Sequence, residues 1–279
     1  MNGVILINKT KYKTSRDMVN ELNHIFDMKK IGHTGTLDPM ATGVLVMCFG
    51  KYTKLVDELS SMQKEYVATI KVGIKTDTLD ITGNVLEQKP CNFDKESIIK
   101  VLDSLKGKVT QKIPLYSAKK VNGKKLYEYA RIGKEVKIPE NEIEIFDIEL
   151  LDVTNDTITF KALVSKGTYI RSLIEMICDR LHIIGTMSSL IRTKQGKFMV
   201  DDSFTIEDVR SGRYNLLTAK DLLPYPVYKL SKEEYERVQN GNKITLDLND
   251  KKIILEYDDS EVAIYEKDDN LYRVSVMLI

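Results

Sequence analysis

Cysteine, histidine and long apolar runs are all scarce in this chain of 279 residues, and each scarcity removes a class of protein. Three cysteines (Cys48, Cys91, Cys178) lie far apart with no CxxC pair, and Cys48 and Cys178 fall in apolar stretches. That describes a reduced, cytosolic protein rather than a disulfide scaffold. The three histidines (His24, His33, His182) have no spacing suited to a metal site. No apolar run approaches the roughly 18 residues that mark a membrane helix. The opening MNGVILINKT is too short for a signal peptide and lacks a basic n-region and a cleavage site. Internal repeats and low-complexity segments are absent. Charge of one sign is lacking too: 42 basic and 41 acidic residues leave a net +1, so any surface for a polyanion must be local. There is no GxxxxGK-S/T loop and no carboxylate pair for magnesium, which disfavours a phosphate-handling enzyme.

What is present is organised around Ile31 to Gly50, IGHTGTLDPMATGVLVMCFG. A Gly/Thr-rich turn with one histidine (His33) leads to Asp38-Pro39, and an apolar run from Val44 to Phe49 reads as a buried strand. Pro39 biases Asp38 away from helix, so a lone carboxylate is held on a stiff turn at the lip of a strand. Such a carboxylate suits a nucleophile or general base. It equally suits an Asx turn, and the residues alone leave both readings open.

Elsewhere the periodicity is plain. Apolar residues at Met18, Val19, Leu22, Ile25 and Phe26 share a helical face, with Thr14 or Ser15 as the cap. Thr53 to Leu59 is a short helix. Lys64 to Val72 alternates as a strand with Tyr66, Ala68, Ile70 and Val72 on one side. Thr76 to Gly83 reads as a polar loop, whose two aspartates lack the further carboxylates of a metal site. Asp94 to Leu105 reads as an amphipathic helix. Glu142 to Val153 and Thr157 to Ser165 read as a hairpin, Tyr169 to Leu181 as a helix capped by Thr168, and Thr186 to Thr193 as a strand. Arg171 falls in the first turn of that helix, which is unfavourable with the helix dipole unless a carboxylate lies nearby. After the Pro224-Tyr225-Pro226 connector, a short helix (Lys232 to Gln239) and strands at Lys243 to Leu246, Lys252 to Tyr257, Glu261 to Glu266 and Leu271 to Leu278 form a small, mostly β appendage.

Lys106 to Tyr127 contains seven lysines and no acidic residue, with Tyr116 and Tyr127 interleaved. Lys119, Lys120, Lys124 and Lys125 with Tyr116 suit a polyanion whose bases can stack. A solvated lysine face is the plainer alternative.

GHTGTLDPMATGVL resembles the signature of the tRNA pseudouridine-55 synthases, the TruB family. NGVILINK, KEYVATIKVGIKTDTLDITG, IPLYSAKKVNGKKLYEYAR and SKGTYIRSLI resemble further family blocks in the family's order, so the likeness spans essentially the whole chain. It implies an α+β catalytic domain on a mixed, largely antiparallel sheet over residues 1–226, with an RNA-binding thumb insertion at about 106–138, and a short PUA-like RNA-binding domain over 227–279. It implies Asp38 as the catalytic aspartate, Tyr66 as the stacking tyrosine, and Arg171 and Tyr169 in the same pocket. It further implies Leu190 beside the target base and His33 packed against flipped-out RNA bases. The implied substrate is the T-stem-loop of tRNA, met by a cytoplasmic monomer that needs no metal or cofactor. One departure stands out: Lys9 is followed by Thr10, where the family usually has proline. LDPMATG resembles the bacterial, stand-alone branch rather than the guide-RNA-dependent one. A tRNA-folding chaperone is the alternative reading.

Overall fold

A computed structural model describes all 279 residues. Strand β1 (Gly3–Lys9) precedes helix α1 (Ser15–Phe26), strand β2 (Ile31–His33) and strand β3 (Thr42–Phe49). Thr14 caps α1 in a reciprocal capping box with Asp17. The expected apolar face is buried: Met18, Val19 and Leu22 pack on Ile5, Ile7, Leu45 and Met47 of the antiparallel β1–β3 pair. The short helix expected at Thr53 is a 3-10 turn, Gly50–Leu55, that runs on into α2 (Val56–Ser60).

Strand β4 (Lys64–Val72) alternates between buried and half-buried side chains along its whole length, as its sequence dictates. The polar loop that follows holds a small hairpin, β5 (Ile74–Thr76) with β6 (Val85–Gln88). Strand β6 is exposed throughout, so it carries no apolar alternation to read. The carboxylates of Asp77 and Asp80 are spent inside this turn, on Asn84 and on Thr78 and Thr82 respectively. Asp94 caps α3 (Lys95–Asp103).

The lysine-rich stretch divides in two. Its first part is β7 (Gly107–Lys112), an edge strand of the main sheet paired with the start of the long strand that follows the insertion. The chain leaves the main sheet only after Lys112. Alternating Lys, Val, Thr, Gln and Lys with a single buried side chain, Gln111, is an edge-strand pattern that the lysine content obscures. Beyond it, β8 (Lys120–Val121) and β9 (Lys124–Lys125) close on an Asn122-Gly123 turn, both residues at positive φ (50° and 81°), and α4 (Leu126–Arg131) follows.

Strands β10 (Glu140–Val153) and β11 (Thr157–Val164) form the expected hairpin, followed by α5 (Ile170–Leu181), β12 (Gly185–Gln195) and β13 (Phe198–Met199). The main sheet runs β1-β3-β12-β4-β11-β10-β7, with β2 on β3 and β13 on β12. Only β3 and β12 are parallel, so the sheet is mixed and largely antiparallel. Helices α3 and α5 cover its central strands in a cluster of 25 buried residues. At the parallel junction Gly43 (φ 107°) lies against Arg192, and a Cβ there would sit 2.2 Å from the Arg192 carbonyl oxygen. Only glycine admits this approach, and it brings the Asp38 loop onto β12.

Short helices α6 (Ile206–Arg210) and α7 (Ala219–Leu222) lead to a second sheet, in which β14 (Val227–Lys229) precedes helix α8 (Lys232–Val238), then β15 (Lys252–Tyr257), β16 (Ser260–Asp268) and β17 (Leu271–Met277), in spatial order β14-β15-β16-β17. The strand expected at Lys243 to Leu246 does not form. Ile244 alone exchanges backbone hydrogen bonds with Tyr272, because one buried anchor in four residues sustains a bridge and not a ladder. One face of this sheet has its own core, including Ile253, Leu255, Tyr265 and Tyr272. The other face puts Ile254, Ile264 and Leu278 into one apolar cluster with Val4, Leu6, Val44 and Val46 of the main sheet. Glu261 fastens the seam, accepting from Ala219 N and Lys220 N (2.7 and 2.8 Å) and from the Tyr52 hydroxyl, while Lys252 pairs with Glu58.

Candidate active site

The loop between β2 and β3 carries Asp38, and buried polar groups fix it from every side. Lys9, fully buried, donates from Nζ to the carbonyls of Thr10 (3.0 Å), Lys13 (2.6 Å) and Pro39 (3.2 Å). Burial pulls its ammonium down to about 8, against the opposing pull of Asp38 and Asp17. Ser15 Oγ accepts from Leu37 N at 2.9 Å, and Gln195 Nε2 donates to Thr34 Oγ1 at 2.6 Å. Arg192, also buried, donates to Val44 O (2.7 Å) and Gly35 O (3.2 Å). With all three Lys9 donors and the Nε and Nη2 of Arg192 engaged on backbone, the Asp38 loop stands on a rigid platform.

Arg171 reaches Asp38 from the first turn of α5. Its Nε meets Oδ2 at 2.9 Å and its Nη2 meets Oδ1 at 2.9 Å, a two-point pair between planar groups. The Arg171 side chain is 6 % exposed and that of Asp38 26 %, so the carboxylate keeps an open side. The same guanidinium donates to Thr78 O and Tyr116 O, both at 3.1 Å, and so ties four separate segments together. The carboxylate thereby offsets the unfavourable placement of an arginine near a helix N-terminus. The cap of α5 is Tyr169 and not Thr168. The Thr168 hydroxyl is used on Ser165 O, and the buried Gln111 amide takes both Tyr169 N and Tyr169 O (2.8 and 3.0 Å).

Strands β4 and β12 lie side by side, with Leu190 opposite Ala68 and Arg192 opposite Tyr66. Tyr66 and Leu190 line a cavity of about 980 Å³ together with Asp38, Tyr169 and Arg171. Tyr116, Ser117, Lys119 and Tyr127 reach the same cavity from the lysine-rich segment. Burial holds the Tyr169 phenol above its ordinary range. No cluster of three His, Cys, Asp or Glu side chains is arranged to hold a metal ion.

The structure thus gathers five of the six residues expected to bind or transform the substrate. His33 is not among the cavity's walls: it ends β2, paired with Met47, and its Nδ1 is buried without a partner. Burial, with Arg192 and Arg16 nearby, keeps its imidazole below the usual range and therefore neutral near pH 7. Lys120, Lys124 and Lys125 also lie off the cavity, on the β8–β9 hairpin. None of Lys119, Lys120, Lys124 and Lys125 forms an ion pair, and Lys125 Nζ sits 5.4 Å from the centre of the Tyr127 ring. Residue-level reading missed Lys9, Ser15, Gln111, Arg192 and Gln195. For Lys9, Arg192 and Gln195 the signal was faint, a polar residue at an inward position of a strand, and Ser15 and Gln111 gave none.

Solved structures share this fold. A chain from an H/ACA RNP bound to a substrate RNA containing 2′-deoxyuridine superposes with a TM-score of 0.74 at 21% identity, covering 99% of this chain and 85% of that one. A chain of a Cbf5-Nop10-Gar1 complex does so at 0.74 and 23%, with the same coverage. Residues 23–170 match the family described as TruB family pseudouridylate synthase (N terminal domain). Among curated relatives, tRNA pseudouridine synthase B of Caldanaerobacter subterraneus subsp. tengcongensis is 38% identical over 95% of this chain and 94% of its own length. The protein of the same name in Bacillus subtilis is 42% identical over 86% and 82%. The chain belongs to the TruB family of pseudouridine synthases.

Proposed function

We propose that this protein isomerises a uridine in the T loop of tRNA to pseudouridine, with Asp38 as the reacting carboxylate. The observation that carries this reading is the Asp38–Arg171 pair, held rigidly at a cavity walled by Tyr66 and Leu190. A uridine inside a folded loop must be extruded before any side chain can reach it, at a cost of about a few kcal/mol. Stacking on the Tyr66 ring offsets part of that cost. Asp38 then attacks the nucleotide or removes a ribose proton. The bond between N1 and the sugar breaks, the uracil turns within the cavity, and C5 bonds to the sugar carbon as the bond to Asp38 breaks or the ribose proton returns; the C5 proton then leaves and N1 takes up a proton. Every heavy atom of the uridine is retained, so neither a cofactor nor a metal is needed. Arg171 balances the Asp38 charge and fixes both oxygens throughout.

On this reading residues 1–226 are the catalytic part, with the thumb leaving the sheet after Lys112 and returning near Ile138, and 227–279 are a short PUA-like RNA-binding part. His33, five residues before Asp38 and outside the cavity, stacks against RNA bases displaced by the extrusion. The protein acts on tRNA as a cytoplasmic monomer.

Incubation with unmodified tRNA, followed by nucleotide-resolution mapping, is expected to show pseudouridine at one T-loop position. Tight binding without any product would instead make the protein a tRNA-folding chaperone. The lysine segment supplies a second expectation. Neutralising Lys119, Lys120, Lys124 and Lys125 together is expected to flatten the slope of log affinity against log salt by about 3, since each phosphate left without its cation removes roughly 0.7 to 0.9. An unchanged slope in a filter-binding titration would place the RNA elsewhere.

A further inference from the structure

One aromatic ring stands apart from the others. Of fourteen tyrosines, Tyr12 alone is exposed, at 72 %. It sits in the turn between β1 and α1 at φ 65°, a left-handed conformation that crowds a bulky side chain. Of the eight non-glycine residues with positive φ, six are Asp, Asn or His, which tolerate it, and Leu79 is half-buried. Neither reason holds for Tyr12, where glycine would remove both the strain and the exposed ring. The turn is nevertheless fixed. Tyr12 N donates to Pro39 O at 2.8 Å, and Lys9 Nζ donates to the carbonyls of Thr10 and Lys13 on either side. Thr14 and Pro39 line the cavity while Tyr12 does not, so its ring stands at the rim, outside the cavity. A strained backbone under an exposed ring, tied to the loop of the reacting carboxylate, points to a use at that rim.

We propose that Tyr12 is an RNA-contacting platform, on which an unpaired T-loop base that stays outside the cavity stacks while Lys11 and Lys13 meet the adjoining phosphates. This rests on the function proposed above. Extruding one nucleotide parts its neighbours from their stack, and an exposed π-face can take one of them. Such stacking is tolerant of sequence, because every base has a face to offer. The free charge around the ring is of one sign. Lys11 and Lys13 are exposed and form no ion pair, and the Lys11 ammonium lies 5.2 Å from the centre of the Tyr12 ring. Asp17, the acidic residue of the helix start, spends its carboxylate on Thr14 N and Oγ1. Arg16, in the first turn of α1, is exposed as well and lies near His33. The surface from Tyr12 through Arg16 to His33 therefore carries two rings and three cations without a carboxylate partner. That is the composition of a surface that follows a nucleic-acid strand.

The test measures binding of the full chain to an unmodified T-stem-loop RNA by filter titration over a range of salt. Tyr12→Gly is expected to weaken binding about tenfold with the slope of log affinity against log salt unchanged, because a stack is lost and no charge. Its denaturant midpoint is expected not to fall, since the strain goes with the ring. Tyr12→Phe keeps the ring and is expected to stay within about twofold of wild type. Lys11→Gln with Lys13→Gln is expected to flatten the salt slope by about 1.5. On stem-loops carrying an abasic spacer at one unpaired position at a time, the loss in Tyr12→Gly is expected to vanish at one position other than the target. Wild-type affinity in Tyr12→Gly, an equal loss in Tyr12→Phe, or a loss that persists at every abasic position overturns the stack. A lower midpoint in Tyr12→Gly overturns it too, by making the ring a packing residue. A wild type that forms no pseudouridine in tRNA overturns the functional reading, whereas an active wild type beside an unaffected Tyr12→Gly confines the failure to Tyr12.

Discussion

Asp38→Asn is expected to lower pseudouridine formation by about ten-thousandfold or more while tRNA affinity changes by less than about threefold. The substitution preserves size and shape but removes the charge and the lone pairs that react. Its effect on the ion pair is also predictable. Arg171 offers Nε to Oδ2 and Nη2 to Oδ1, and an amide presents an oxygen to only one of these donors. The other donor faces an NH₂ group, so one charge-assisted bond is lost, with a stability cost of about 1–3 kcal/mol. Single-turnover tritium release from C5-labelled uridine in tRNA measures the first effect and a denaturant titration the second. A variant that keeps more than about one-hundredth of the wild-type rate would remove Asp38 from the chemistry.

Arg171→Ala is the second large effect, and it falls on stability and turnover together. The guanidinium is nearly buried and serves Asp38, Thr78 O and Tyr116 O at once. Its loss leaves a carboxylate and two carbonyls short of donors, for an expected cost of about 3–5 kcal/mol. The lower end applies because Asp38 is 26 % exposed and water can solvate it. Turnover is expected to fall by about a hundredfold to a thousandfold, since Asp38 is no longer aimed. Arg171→Lys is expected to recover part of the stability and little of the rate. An ammonium reaches one oxygen at a time and cannot hold the carboxylate plane. Full activity of Arg171→Lys would show that charge alone, and not orientation, is what Asp38 needs.

Most strands and helices were legible because one face of each is apolar at a clear period. Strand β4 and helix α1 are the plainest cases, and both sit where their periodicity places them. Strand β7 was hidden by its composition: an edge strand needs little apolar surface, and its lysines read as charge before they read as alternation. The β5–β6 hairpin was hidden for a similar reason. The site divides along another line. Asp38, Tyr66, Tyr169, Arg171 and Leu190 come from four distant segments, and no spacing rule joins them, so their association rested on family resemblance until the sheet brought them to one cavity. The groups that hold the platform were barely legible. Lys9 and Arg192 look like surface charges in sequence, and only the fold shows their donors spent on backbone carbonyls. Thr10, in place of the family's proline, contributes its carbonyl to Lys9, a role that any residue can fill.

The apolar cluster shared by the two sheets has a mechanical consequence. Ile254, Ile264 and Leu278 pack among Val4, Leu6, Val44 and Val46, and β3 runs directly from that cluster to the loop of Asp38. A hinge at the seam would open this surface to water, which is costly. The tail and the cavity therefore keep a fixed distance and angle, and removing the tail would lay bare Val4, Leu6, Val44 and Val46 beneath the strand that leads to Asp38.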